Sequence, residues 1–329
     1  MAVLAVYLHG RTLHVGVGGM EVSAATSFPL PSSDFESAVS EQVLPWLEAA
    51  GVARENLEFI VTSGVLKGDL PSGIYRLDTD SALEPEWGGR ELCTVLASHL
   101  STPIYLIDPA SRGECHPHAR VTGTPAIQRT CSADHFLFKY LARQEAAKRD
   151  LRHSEGRFIV AHLDEVHQLG AVVGTKVVDC LSSADEGPFA LYHSGGLPFD
   201  GVLELCSSHP QRQEVLKTLS VEGGLRGYLG LERLADLFTA QGEQAALVRD
   251  ALVYQVAKEI GALAAVLAGQ VDAIICGGEL AKVEPFMVEL RRRVAFIAPI
   301  SVVPGNQGLA ALLAGAGRIL AKEPIVNLS

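Results

Sequence analysis

Positive charge is scarce in this chain. Lysine and arginine number 27 against 38 acidic residues, a formal net charge of −11, and the one basic run is Arg291-Arg292-Arg293. Such a balance argues against nucleic acid or an anionic membrane as a partner. The six cysteines are Cys93, Cys115, Cys131, Cys180, Cys206 and Cys276. They form no CxxC pair, and their scatter suits a reducing cytosol. The apolar opening, Ala2 to Leu8, is short and has no basic start, so it reads as a first strand rather than a signal peptide. The apolar stretch Ala262 to Ala268 is far too short to span a bilayer. There is no low-complexity segment and no repeat at solenoid spacing. What is there is a chain expected to be cytoplasmic, 329 residues long and 48% apolar, enough for two domains with a sizeable core.

Hydrophobic patterning lays out alternating elements. Ala2–Tyr7 and Leu13–Val17 read as a hairpin around His9-Gly10-Arg11. Asp34–Ala50 reads as a helix, Leu57–Val61 as a strand, Gly68–Arg76 as loop, Arg90–Leu100 as a helix and Ile104–Ile107 as a strand. Asp134–Arg149 is an amphipathic helix with Asp134 as its expected N-cap. His153-Ser154-Glu155-Gly156 reads as a linker, giving domains of 1–153 and 154–308. Beyond it come strands Arg157–Leu163, Gly170–Gly174 and Lys176–Cys180. Leu197–Leu205, Gln211–Leu219 and Gly230–Thr239 look helical. Leu247–Leu267 is a long helix whose apolar residues wrap most of its surface, so burial all round is expected. Strand Val271–Cys276 leads into Gly277-Gly278 and a helix near Leu280. Val294–Val303 reads as a strand and Leu309–Leu320 as the last helix. Strand-rich openings recur at Ala2 and Arg157, which fits a duplicated α/β architecture.

Several segments in this order resemble butyrate kinase, a member of the acetate kinase branch of the actin-like ATPase superfamily. They are SGIYRLD near Tyr75, ARVTGTPAIQR from Ala119, FIVAHLDEVHQLGAVVGTKVVD from Phe158, and DEGPF from Asp185. EGGLRGYLGL from Glu222, RDALVYQVAKEIGALAAVLAGQVDAIICGGELA from Arg249 and FIAPISVVPGNQGLAALLAGAGRIL near the end complete the set. The resemblance implies two actin-like, ribonuclease H-like α/β domains with a cleft between them, the helix 309–320 packing back onto the first. It implies phosphoryl transfer between ATP, with Mg²⁺, and a short-chain carboxylate through an acyl phosphate. It also implies a homodimer or higher homo-oligomer, for which the alanine-rich segment Ala251–Ala268 offers close packing.

Phosphoryl transfer is mostly positioning and charge stabilisation. Glycine turns let amides face phosphate oxygens, cations hold the transferred group and a carboxylate helps hold Mg²⁺. By position in the family pattern, His162 is the loop histidine and His135 the second active-site histidine. The family's Gly-Gly-Gly turn after the loop histidine is here Asp164-Glu165-Val166. Its arginine positions fall at Ser63 and His193, and its late glutamate at Asn306. The first strand-turn reads Tyr7-Leu8-His9-Gly10-Arg11-Thr12-Leu13, which has lost most of the phosphate-contacting hydroxyls and leaves Arg11 and Thr12 as its nucleotide contacts. The catalytic candidates are therefore His135, His162 and His193. The cofactor candidates are Gly277, Gly278, Arg11, Thr12, Asp164 and Glu165, with no metal site assigned. Arg11, Lys67 and Lys176 could compensate for the missing cations.

Plainer readings stand beside these. His162 and His135 are a retained catalytic pair or histidines left from ancestry. Gly277-Gly278 is an adenosine-contacting turn or a tight strand-to-helix turn. Cys115-His116-Pro117-His118 is too compact for usual zinc spacing and suits a surface loop better. Asp164, Glu165 and His167 make a new metal or acid/base site, or a solvated loop. Arg291–Arg293 is a charged helix end rather than an anion site. The expected function is a butyrate kinase-like protein with weak or lost phosphotransfer. The alternative is a non-catalytic binder of a small ligand or partner on the same scaffold.

Overall fold

The structure, a computed structural model, describes residues 2–30, 34–66, 69–77 and 89–328. The chain divides into two compact units, 1–140 with 307–329, and 141–306.

The first unit is built on a seven-stranded sheet in the order β12-β5-β6-β4-β1-β2-β3. The strands are β1 (Ala2–His9), β2 (Thr12–Gly18), β3 (Val22–Pro29), β4 (Leu57–Thr62), β5 (Ile74–Leu77), β6 (Ile104–Ile107) and β12 (Ile325–Leu328). β1 is buried over Val3 to Tyr7, as a strand covered on both faces requires, hence its unbroken apolar run. It pairs antiparallel with β2 and parallel with β4. β3 alternates exposed and half-buried positions, the pattern of an edge strand. Three of these strands differ from the sequence expectation. β5 replaces part of the expected loop 68–76, and β3 and β12 are additional. Helices α1 (Phe35–Ser37) and α2 (Leu44–Ala49) are joined by a π-helical turn, Ala38–Val43, and pack with α3 (Gly89–Leu100) under one face. The short α4 spans Pro117–Arg120, and α5 spans His135–Lys148, across the division between units. The last helix, α11 (Gly308–Leu320), lies in the first unit against β1, β2 and β4. Its Gly315 lets it lie close, because a Cβ there would stand 2.3 Å from Ile107 Cγ2.

The second unit carries a five-stranded sheet in the order β11-β10-β7-β8-β9. β7 (Arg157–Leu163), β10 (Ala273–Gly278) and β11 (Ile300–Pro304) are parallel; β8 (His167–Val173) and β9 (Lys176–Ser182) continue antiparallel from β7. Each unit thus opens with a three-strand meander beside parallel strands, the duplication suggested by the recurring strand-rich openings. Helices α6 (Phe199–Ser208), α7 (Arg212–Ser220), α8 (Gly224–Leu229), α9 (Glu243–Val266) and α10 (Glu284–Val294) follow. The apolar run expected as a strand over 294–303 is divided between the end of α10 and β11. α9 is not buried all round. Val248, Leu252, Val256, Ile260 and Leu263 recur at helical spacing and form the core with β7 and β8, while Leu247 and Tyr254 stay exposed. Among the described residues no helix is long and apolar enough to cross a membrane.

Candidate functional site

In the second unit three parallel strands end together, and ligands of α/β sheets bind beyond such carboxyl ends. Gly277 is in register with His162, and Gly278 with Pro304. Gly278 and Gly305 exchange backbone hydrogen bonds of 3.2 and 3.0 Å. The edge therefore gathers His162-Leu163-Asp164, Gly277-Gly278 and Gly305-Asn306. Gly278 has φ +86°, and a Cβ on it would lie 2.5 Å from the Leu163 carbonyl oxygen. That approach of β10 to β7 by itself demands glycine, whatever else the turn contacts.

The β7–β8 turn closes on itself. Asp164 is 6% exposed. Its Oδ1 accepts from the Glu165 backbone amide at 3.0 Å, and its Oδ2 accepts from Asn306 Nδ2 at 3.4 Å. The chain's own carboxylate thus occupies a turn amide of the kind that a phosphate would need. Val166 is buried, His167 is fully buried, and only Glu165 is half-exposed, so the segment is not the solvated loop the sequence allowed. The Glu165 amide is engaged by a group that carries the same sign of charge as a phosphate.

The ladder separates two of the histidines. Leu163 pairs with His167 and His162 with Gln168. Paired residues share a face and successive residues alternate, so His167 lies with Leu163, Leu169 and Ala171 on the α9 side and His162 on the other. Burial pushes the pKa of His167 down to about 3, opposed by a hydrogen bond to the Asp164 backbone and by the Asp164 charge, with His162 and His193 lowering it further. At neutral pH His167 is an uncharged core residue. His162 is fully buried beside Gly277, whose Cβ position is 3.3 Å from its Cδ2. His193 is half-buried, and its carbonyl oxygen accepts from Ala190 N at 3.0 Å. Lys176 stands at the far end of β8 from the turn, roughly 20 Å along seven residues, so it does not compensate there. Lys67 lies outside the described residues.

In the first unit, Arg11 and Thr12 are half-buried on the β1–β2 turn. Beside it, Tyr7 Oη lies 2.5 Å from Asp134 Oδ2 and 2.7 Å from His9 Nδ1, and His14 stacks on the Tyr7 ring. Asp134 begins α5 with its carbonyl accepting from Leu137 and Phe138. His135 is fully buried and both ring nitrogens face acceptors, Nδ1 the Glu114 carboxylate at 3.2 Å and Nε2 the Cys131 carbonyl at 3.3 Å. Lys139 Nζ is 2.7 Å from Glu114 and 3.7 Å from Asp108, which Arg318 meets at 2.6 Å. Burial pushes the Glu114 carboxyl up, but His135 and Lys139 together outweigh it and hold the group at about 2. This ion network was absent from the sequence candidates. A signal for it existed, because His135 and Lys139 are four apart and share a helix face.

The other motifs resolve simply. His116 Nδ1 accepts from His118 N as a cap of α4, with both histidines exposed and Cys115 buried. Arg292 pairs with Glu289 and Arg293 lies over the Tyr254 ring at the end of α10.

No family model matches the chain. Over 294 residues it is 33% identical to a protein described as probable butyrate kinase 2 of Caldanaerobacter subterraneus subsp. tengcongensis, covering 85% of this chain and 83% of that one. Its fold is similar to an acetate kinase from Porphyromonas gingivalis, with a TM-score of 0.75 at 14% identity over 98% of this chain and 100% of that one. A propionate kinase from Francisella tularensis subsp. tularensis SCHU S4 gives 0.76 at 14% identity over 95% and 98%. At such identities the structural likeness carries the fold alone.

Proposed function

The chain belongs to the butyrate kinase family, and from that premise we propose that it is a carboxylate-kinase scaffold whose ATP-dependent phosphotransfer is weak or lost. The observation that supports this reading is the Asp164 carboxylate closed onto the Glu165 amide and Asn306. Glycine amides in that place would stabilise phosphate, whereas a buried carboxylate repels it. Ser63 and His193 stand where the family pattern has arginines, and an arginine serving a phosphoryl transition state is worth about 10³-fold or more. His135 fits the same reading, since its nitrogens are engaged by Glu114 and Cys131.

Within this proposal the nucleotide end that survives is the adenosine side at Gly277-Gly278. Cytoplasmic residence is supported by six free cysteines. Self-association through the second unit is supported by the exposed apolar residues Leu203 and Tyr254. The deciding experiment is acyl phosphate formation, trapped as hydroxamate, from ATP-Mg with butyrate, propionate and acetate. Turnover at least 10²-fold below the ordinary enzyme value of about 10 s⁻¹ is expected. Turnover near that value refutes the proposal.

A further inference from the structure

Away from the strand ends, a cavity of about 750 Å³ opens in the second unit between α6, α7, α8 and the first half of α9. None of Asp164, His162, Gly277 or Asn306 lines it. Its size falls within the range of small-molecule pockets. Phe189 and Val248 form a buried floor, at 7% and 5% exposure, while Tyr228 and Leu247 stand at the rim, 60% and 70% exposed.

Three observations define what would fill it. First, Glu222 is the sole charged residue among those lining it, and it is already paired with Lys217. A carboxylate, acyl phosphate or nucleotide entering here would lose its water and gain no cation in return. Second, Gln255 lines the wall with its side-chain oxygen accepting from Phe189 N at 3.4 Å. That bond leaves its whole NH₂ group as a donor for a ligand. Third, Gly201 lines the cavity from inside α6, yet a Cβ there would meet no atom within 4 Å. It is absent from the glycines of positive φ. Glycine inside a helix costs about 0.5–1 kcal/mol relative to alanine. Neither backbone conformation nor packing within the chain calls for it, and the glycine leaves that stretch of the cavity wall open.

We propose that this cavity is a binding site for an uncharged, largely apolar small molecule carrying a carbonyl-type acceptor, such as an ester or amide. Its lining holds none of the catalytic or nucleotide candidates, although Ser194 directly follows His193. Its ligand chemistry is opposite in charge demand to that of a carboxylate kinase's substrates.

The test uses the full chain and the uncharged dye Nile red, displaced by methyl esters of straight-chain acids and by the same acids unesterified. Dye binding is expected, with ester affinity rising about fourfold per added methylene until the cavity is full. The free acids should compete at least tenfold more weakly. Gly201→Leu and, independently, Ala251→Phe should each weaken dye binding at least tenfold, with the thermal midpoint of Gly201→Leu unchanged or raised. Absence of dye binding overturns the proposal, as does binding that neither variant alters. Free acids that compete as well as esters overturn the ligand class. Sedimentation of both variants checks the remaining occupant: a wild-type dimer that Gly201→Leu converts to monomer would assign the cavity to a second copy of the chain and overturn the small-molecule site.

Discussion

Replacing Asp164 by asparagine removes one negative charge from the β7–β8 turn and keeps an oxygen able to accept from the Glu165 amide. In the native chain that bond is 3.0 Å and charge-assisted, while the Asn306 contact at 3.4 Å is long. Hydrogen bonds to charged groups contribute about 1.5–3 kcal/mol and neutral ones about 0.5–1.5, so the fold should lose on the order of 1 kcal/mol. The effect on phosphate is larger. Two unit charges about 4 Å apart interact by about 4 kcal/mol at an effective dielectric of 20. Even a third of that repulsion, relieved, is about 1.4 kcal/mol or tenfold in affinity. Titration calorimetry across adenosine, AMP and ATP reads this directly. In the native chain affinity should fall or stay flat along the series. In Asp164→Asn the ATP-to-adenosine affinity ratio should rise at least tenfold. Asp164→Gly, which also frees the Glu165 amide, should raise it further. A native chain that already binds ATP tenfold more tightly than adenosine would refute the reasoning. So would an Asp164→Asn ratio within twofold of the native one.

Two further outcomes follow from buried ionisable groups. His167 has a folded pKa of about 3 against an ordinary 6.5. The unfolded chain therefore takes up the proton first, and stability should fall by up to about 1.4 kcal/mol per pH unit as pH drops from about 6.5 toward 3. Urea midpoints at pH 7 and pH 5 should draw together in His167→Leu, and an unchanged difference would count against a neutral core histidine. Lys139→Met leaves the Glu114 carboxylate buried with one partner fewer and should cost about 3–5 kcal/mol. Glu114 stabilises the fold above its ordinary 4.5, an effect lost as pH falls toward 2, and without Lys139 that loss should begin at higher pH. The double replacement Lys139→Met with Glu114→Leu should recover part of that loss in urea denaturation, since the unpaired carboxylate is removed, but not all of it, because the buried His135 Nδ1 then loses its acceptor.

The elements legible in the sequence are those whose pattern is set locally. β1, β7 and β10 are buried on both faces and so read as unbroken apolar runs. The helices with strong 3.6-residue spacing, α3 and α11, fall within two residues of expectation. What was missed depends on partners remote in sequence. β5 has four residues next to Pro71 and Gly73, and is a strand because β6 and β12 flank it. β3 is an edge strand of small and polar residues held by β2. Leu247 to Leu267 is apolar enough to suggest burial all round, but composition does not say which residues the sheet reaches.

The candidate site shows the same division at the level of single side chains. The substitution of carboxylates into the glycine turn is visible in the sequence, but its consequence is not. Asp164 and Asn306 are 142 positions apart and meet only because β7, β10 and β11 end at one edge. The histidines make the point more sharply. Family position singles out His135 and His162 alike, yet position fixes only where a ring sits. What the ring can do depends on its neighbours. His135 is held between Glu114 and Cys131 in a network that extends through Lys139 and Asp108 to Arg318. His162 and His167 lie five residues apart in one hairpin, yet the ladder turns them to opposite faces, and the one that sequence proximity would add to an acid/base site is the one that burial keeps neutral. A histidine kept at a catalytic position is thus weaker support for catalysis than a turn amide left open for phosphate, and in this chain that amide is closed by Asp164.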